Sequence, residues 1–154
     1  LARVGLAVLE KDVLAAAADW PAAVAAHLAP VPLLEAGLAL AACHGVTACL
    51  DVSDGLARDL RRLLPPNCGA DLFFTPAGLH PEVTAHAAGH GRPPEKVAFF
   101  GGEDYALLAT VAPAALPALR AALPEAKAIG RVTATPGYTL NGAAINERGF
   151  DHFG

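Results

Sequence analysis

A short apolar run, Val46 to Leu50, passes through Asp51-Val52-Ser53-Asp54-Gly55 directly into a helical-looking run, Leu56 to Leu64. A strand feeding straight into a helix commits this part of the chain to a sheet layered against helices. The run is nearly all apolar with β-branched members, which predicts a strand covered on both faces. The turn places two carboxylates and a hydroxyl where backbone N–H groups at a helix N-terminus point outward unpaired. Two Asp side chains there would repel a bare phosphate. They suit Mg²⁺, a hard cation that takes one or two carboxylates together with phosphate oxygens and waters. The same residues also fit an Asp cap following a strand, which needs no ligand.

The rest of the chain supports interleaved helices and strands. Ala2 to Glu10 and Asp12 to Leu28 are Ala/Leu-rich and predict helices, with Asp12 as a cap and a break at Trp20-Pro21. Pro30-Val31-Pro32 is a stiff connector. Leu33 to His44 repeats apolar residues at helical spacing (Leu34, Leu38, Ala41 or Ala42) and ends at Gly45. On the helix Leu56 to Leu64, the residues Arg58, Asp59, Arg61 and Arg62 are expected toward solvent. Further strands are expected over 69–75, 105–111 and 126–133, and helices over 79–89, 95–100 and 113–123, the last with Pro in its first turn. Asn141-Gly142 between apolar alternations in 137–146 predicts a hairpin. No internal boundary or repeat interrupts the pattern, so a single domain of α/β (α+β) type is expected, with helices packed on a mixed β-sheet.

Composition narrows the possible partners. The net formal charge over 154 residues is −4, only 17% of residues are charged, and no basic stretch points to nucleic acid or an anionic membrane. No apolar run reaches the roughly 18 residues of a membrane span, and no export signal is visible. The three cysteines, Cys43, Cys49 and Cys68, form no CxxC pair. They are expected as reduced, buried small hydrophobes, which fits a cytoplasmic protein. The chain contains no Met and opens Leu1-Ala2-Arg3 inside an apolar pattern; it is expected to be part of something longer.

A second candidate for chemistry is Gly101-Gly102-Glu103-Asp104, where two glycines permit close backbone approach to a ligand and an acidic pair follows. A polar turn between helix and strand is the competing reading. His86 and His90 lie four apart with His80 nearby, but no HExxH frames them, and a solvated helix face accounts for them better than zinc. Ser53 is the only serine and lies in no GxSxG; neither a Walker A loop nor GxGxxG is present. The tail Phe150-Asp151-His152-Phe153 carries aromatics that an exposed terminus rarely holds unless they dock.

Taken in order, Asp51-Val52-Ser53-Asp54-Gly55-Leu56, Gly69-Ala70, Gly101-Gly102-Glu103-Asp104-Tyr105, Ile129-Gly130 and Arg148-Gly149-Phe150-Asp151-His152-Phe153 resemble the C-terminal domain of thiamine-monophosphate kinase. That family belongs with aminoimidazole ribonucleotide synthetase, selenophosphate synthetase and the hydrogenase-maturation protein HypE. The resemblance implies an AIR-synthetase-like C-terminal domain, 1–154, whose N-terminal ATP-binding and dimerisation domain is absent from the chain. It implies transfer of the ATP γ-phosphoryl group to thiamine monophosphate with Mg²⁺, giving thiamine diphosphate, in an enzyme that is a homodimer when complete. Residue by residue, it implies Asp51 and Asp54 as Mg²⁺ ligands, Ser53 as an ATP contact, Glu103 as a substrate contact and Phe150 at the thiamine ring. An aromatic face and a carboxylate suit a cationic thiazolium. Gly55, Gly101, Gly102 and Asp104 are candidate supporting residues.

The chain also departs from the family pattern. Ala29-Pro30-Val31-Pro32-Leu33 stands where relatives often carry Arg-Pro-x-Pro-Arg, and Arg62 stands where His is frequent. The isolated chain is therefore expected not to turn over. Two other readings compete: a phosphate- or Mg²⁺-binding fragment without catalysis, and another ATP-dependent member of the superfamily.

Overall fold

The computed structural model describes residues 1–145. Four helices come first: α1 (Ala2–Leu9), α2 (Val13–Asp19), α3 (Pro21–Leu28) and α4 (Leu34–Ala42). The Asp12 carboxylate accepts the Ala15 N–H at 3.1 Å, capping α2 as its position predicts. The break before α3 falls at Trp20-Pro21, because Pro fits a first turn where no N–H is needed. Then follow β1 (Val46–Val52), α5 (Leu56–Leu63), β2 (Gly69–Leu72), α6 (Pro81–Gly89), α7 (Pro94–Phe100), β3 (Ala106–Val111), α8 (Leu116–Ala122), β4 (Gly130–Thr133), β5 (Tyr138–Leu140) and β6 (Ala143–Ala144).

Strands β1 and β3 form an antiparallel pair, with Asp51 opposite Leu107 and Val52 opposite Ala106. The other sheet is mixed, in the order β4-β2-β5-β6. There β2 runs antiparallel to β4 and parallel to β5. Asn141 and Gly142, at φ of 51° and 81°, turn β5 into β6, the positive-φ pair that a two-residue hairpin requires. Asn141 also clamps the end of β2. Its N–H donates to the Leu72 carbonyl at 2.9 Å, and its side-chain amide accepts from the Phe74 N–H at 3.0 Å and donates to the Phe74 carbonyl at 2.9 Å. That clamp ends the strand at Leu72 rather than at Thr75.

Two buried clusters organise the helices around these strands. One joins Val52, Leu56, Leu60, Leu64, Leu72, Phe99, Leu108 and Leu140, so α5 and α7 close on β1, β2, β3 and β5. Phe99 is at its centre, with Phe74 and Phe100 edge-to-face at 6.3 and 5.0 Å. The other cluster joins Val4 and Val8 of α1, Ala23 and Val24 of α3, and Val83 of α6, with Trp20 and Val97 packed beside them.

Several expectations need correction. Strand β1 is not covered on both faces: Thr47, Cys49 and Asp51 are exposed while the alternate residues are partly or fully buried, because among the described residues β3 is its one strand neighbour and helices, α4 and α5, meet the buried residues only. Cys49 is therefore exposed, and Cys43 and Cys68 are half-buried; all three are free thiols. Helix α4 forms, yet Leu34 and Leu38 of its apolar stripe are 73% and 67% exposed, and Leu40 is the residue it buries. The 113–123 segment begins as a 3₁₀ turn, Pro113–Ala115, before α8. His86 is not on a solvated face: it stacks on His90 at 4.2 Å and meets Trp20 edge-on at 5.7 Å. Among the described residues no helix is long and apolar enough to cross a membrane.

Candidate active site

The turn between β1 and α5 is built around a residue the sequence pattern placed in solvent. Asp59, in α5, is 1% exposed, and its carboxylate turns back to accept the Ser53 N–H at 3.0 Å and the Asp54 N–H at 2.9 Å. These N–H groups precede Gly55, the residue before α5, so the carboxylate anchors the turn ahead of the helix, where the helix dipole also favours negative charge. Arg62 reaches the other Asp59 oxygen at 3.3 Å. Asp59 corrects the expected outward placement of the α5 charges: Arg58 and Arg61 are half-buried, and Arg62 alone of the four is well exposed. The available signal was an acidic residue in the first turn of a helix whose start carries no other cap.

The second motif lies directly against this turn. The Glu103 N–H donates to the Ser53 carbonyl at 2.7 Å, and the Tyr105 N–H donates to the Val52 carbonyl at 2.9 Å. The approach requires glycine: a Cβ on Gly102 would lie 2.6 Å from the Ser53 carbonyl oxygen, and one on Gly55 would lie 2.9 Å from that of Phe100. Gly55 also has φ of 97°, a conformation that side chains rarely adopt. Glu103 and Tyr105 take positive φ as well, 65° and 48°. Such backbone in non-glycine residues costs on the order of 1–3 kcal/mol each and concentrates at functional sites.

The fold thus brings Ser53, Asp54, Gly55, Gly102 and Glu103 together. Asp51 is exposed on β1, next to the turn. Asp54 lies 3.3 Å from Arg62 Nη1 and 3.7 Å from Arg58 Nε. Glu103 Oε2 is 2.8 Å from His27 Nδ1 of α3, a close contact without hydrogen-bond alignment. Asp104 turns the other way and accepts from the backbone nitrogens of Leu1 and Ala2 at 2.7 and 3.0 Å, so it supports α1 rather than the turn. Although Cys49 is exposed, partial desolvation of its thiol, then the Asp51 carboxylate, pushes its pKa above the usual range. Phe150 and the tail motif around it lie outside the described residues.

Among the described residues, no three His, Cys, Asp or Glu side chains converge as a self-sufficient metal cage. A Mg²⁺ completed by phosphate oxygens and waters requires only one or two carboxylates. Asp51 and Asp54 are the two carboxylates at this turn, and Asp54 is shared by two arginines.

The sequence model of the family described as "AIR synthase related protein, C-terminal domain" matches residues 2–142. The chain belongs to this family. The AIR synthase-related chain is 39% identical over 125 residues to a thiamine-monophosphate kinase of Halobacterium salinarum, a match covering 79% of the chain and 41% of that protein. Among solved structures, it is similar to tt0281 from Thermus thermophilus, with a TM-score of 0.77 and 28% identity over 95% of the chain and 47% of the other. It is also similar to AaThiL complexed with AMPPCP and TMP, with a TM-score of 0.72 and 26% identity over 99% of the chain and 48% of the other. The AIR synthase-related chain therefore spans less than half the length of these relatives.

Proposed function

We propose that the chain is the C-terminal part of a cytoplasmic kinase that transfers the γ-phosphoryl group of ATP to thiamine monophosphate, forming thiamine diphosphate. In this reading an N-terminal domain completes the nucleotide site and the homodimer. The observation that carries it is the junction of the two motifs, with Glu103 hydrogen-bonded through its N–H to the Ser53 carbonyl. A contact for ATP and a contact for its acceptor thus share one rigid turn. Phosphoryl transfer relies mainly on positioning and on neutralising charge, so rigid placement is what such a reaction needs from the protein.

Each residue then has a role. Ser53 faces ATP, Glu103 holds the cationic substrate, and Phe150 borders its ring. Asp51 and Asp54 would hold Mg²⁺, which when bound neutralises developing charge on phosphoryl oxygens. Asp59 is a positioning residue, because it fixes the Ser53–Asp54 backbone. The names of the relatives and the AMPPCP and TMP bound to AaThiL support the reading. In a chain extended to the length of its relatives, Asp51→Ala is expected to lower thiamine diphosphate formation about 100-fold or more, the scale of losing one electrostatic contact to a transition state. Wild-type turnover in that variant would overturn the proposal.

One observation favours a second reading. Arg58 and Arg62 flank Asp54 and offset one of the two carboxylates, which suits a module that binds a phosphorylated ligand without catalysis. Calorimetry with thiamine diphosphate and Mg²⁺ separates the two, since a binding module produces heat while the kinase assay stays silent. No heat at about 1 mM ligand, a binding free energy near −4 kcal/mol, excludes the binding module.

A further inference from the structure

A cavity of about 380 Å³ opens between α1, the turn after α6, and α7. Its lining combines three cations, Arg3, Arg92 and Lys96, with the apolar surfaces of Val97 and Phe100. Among the described residues no carboxylate lines it. Among the described residues, none of the three cations lies within ion-pair distance of an acidic side chain. In a chain of net charge −4, three such cations around one concavity make a local reversal of sign, and a concave site focuses that field on an anion. The field reaches His86, whose proton affinity is lowered by burial first and then by His90, Lys11, Arg92 and Arg3.

The cavity and the candidate active site lie on opposite sides of one short segment. A Cβ on Gly101 would point at the Val97 carbonyl and at Arg3, whereas one on Gly102 would point at Ser53 and Asp54. Successive residues of the segment therefore face the cavity wall and the turn after β1. The cavity volume falls in the range that holds a single small molecule. Its lining pairs an anion-binding rim with an apolar wall long enough for a ring.

We propose that this cavity binds a small phosphomonoester, with its phosphate among Arg3, Arg92 and Lys96 and its apolar body on Val97 and Phe100. It is a second ligand site, independent of the kinase reading. The test titrates inorganic phosphate and phenyl phosphate into the chain, by calorimetry and by backbone amide shifts. Phenyl phosphate is expected to bind about fivefold tighter than inorganic phosphate, because the ring buries apolar area, and to shift the amides of Val97 and Gly101. The variant Arg92→Ala/Lys96→Ala is expected to bind phenyl phosphate about tenfold more weakly or worse, through loss of two charge-assisted contacts. Both residues are exposed, and circular dichroism checks that the variant folds; Lys96→Gln alone replaces the pair if it does not, since Gln keeps the helix propensity of Lys. Asp51→Asn is expected to leave this binding unchanged, which separates the site from the turn after β1. The proposal is overturned by no saturable binding of either probe, by equal affinity in wild type and the double variant, or by loss of binding in Asp51→Asn. Sedimentation with phosphatidylserine vesicles without phenyl phosphate binding overturns it too, since that describes a surface for membranes.

Discussion

Asp59 and Glu82 each hold a pair of consecutive backbone N–H groups, and they do so across very different spans of chain. Asp59 reaches back six and five residues to Ser53 and Asp54. Glu82, in α6, reaches across 60 and 59 residues to Ala22 and Ala23 at the start of α3, at 3.1 and 2.7 Å. The first closure is local, so its entropic cost is small and the turn can form with β1 and α5 alone. The second exists only once α3 and α6 have packed. The Ser53–Asp54 half of the candidate site lies on the local closure, whereas the distant one clips α3 to α6.

The largest effect is expected where the local closure is broken. Asp59→Ala leaves two N–H groups in a half-buried turn without their charged acceptor. At about 1.5–3 kcal/mol for each bond to a charged group, less what entering water restores, the loss is about 3 kcal/mol. Urea unfolding measures it, and Asp59→Asn, which keeps an oxygen but not the charge, is expected to lose about half as much. The Arg62 end of the pair with Asp59 is 61% exposed, so water screens its share of that interaction. An Asp59→Ala chain as stable as wild type would mean that the turn holds without its carboxylate, and the contrast with Glu82 would collapse.

Glu82→Ala is expected to cost less, about 1–2 kcal/mol, the range for losing a helix cap. Hydrogen exchange sharpens the comparison beyond total stability. The Ala22 and Ala23 amides are expected to lose protection in Glu82→Ala while those of Ser53 and Asp54 keep theirs, and Asp59→Ala is expected to do the reverse. Equal loss at both places in either variant would show one cooperative unit in place of two.

How much of this was legible in the residues follows the same division between local and distant. The strand, turn and helix from Val46 to Leu63, the break at Trp20-Pro21, the Asp12 cap and the Asn141-Gly142 turn all rest on contacts within a few residues. The nearness of Ser53 and Glu103 came only through resemblance, since no spacing rule connects residues 50 apart. Asp59 was misplaced because helical periodicity sorts charges by face and ignores a side chain that bends back along the axis. An apolar run such as that of β1 predicts a doubly covered strand, but it does not say how many layers will meet it. The His27–Glu103 contact and the cations around the α1–α7 cavity come from tertiary packing alone. They left no sequence signal.

The smallest effect is expected at a third carboxylate that holds side chains instead of backbone. Asp71 of β2 accepts from Thr139 Oγ1 at 2.9 Å and from Arg131 Nε and Nη2 at 3.1 and 3.0 Å. The Thr139 hydroxyl first, and Arg131 second, hold its pKa below the ordinary 3.8. Because the folded value lies below the unfolded one, the stability this group contributes is complete above about pH 4 and is lost as pH falls through the folded value. Thr139→Val and Arg131→Ala are each expected to flatten that acid limb, since the hydroxyl and the guanidinium both lower the Asp71 pKa. Denaturant unfolding at about pH 6 and about pH 3 reads the difference directly. Equal acid slopes in wild type and both variants would mean that Asp71 is no clasp of the sheet. Side-chain partners would then contribute less here than the paired N–H groups that Asp59 and Glu82 hold.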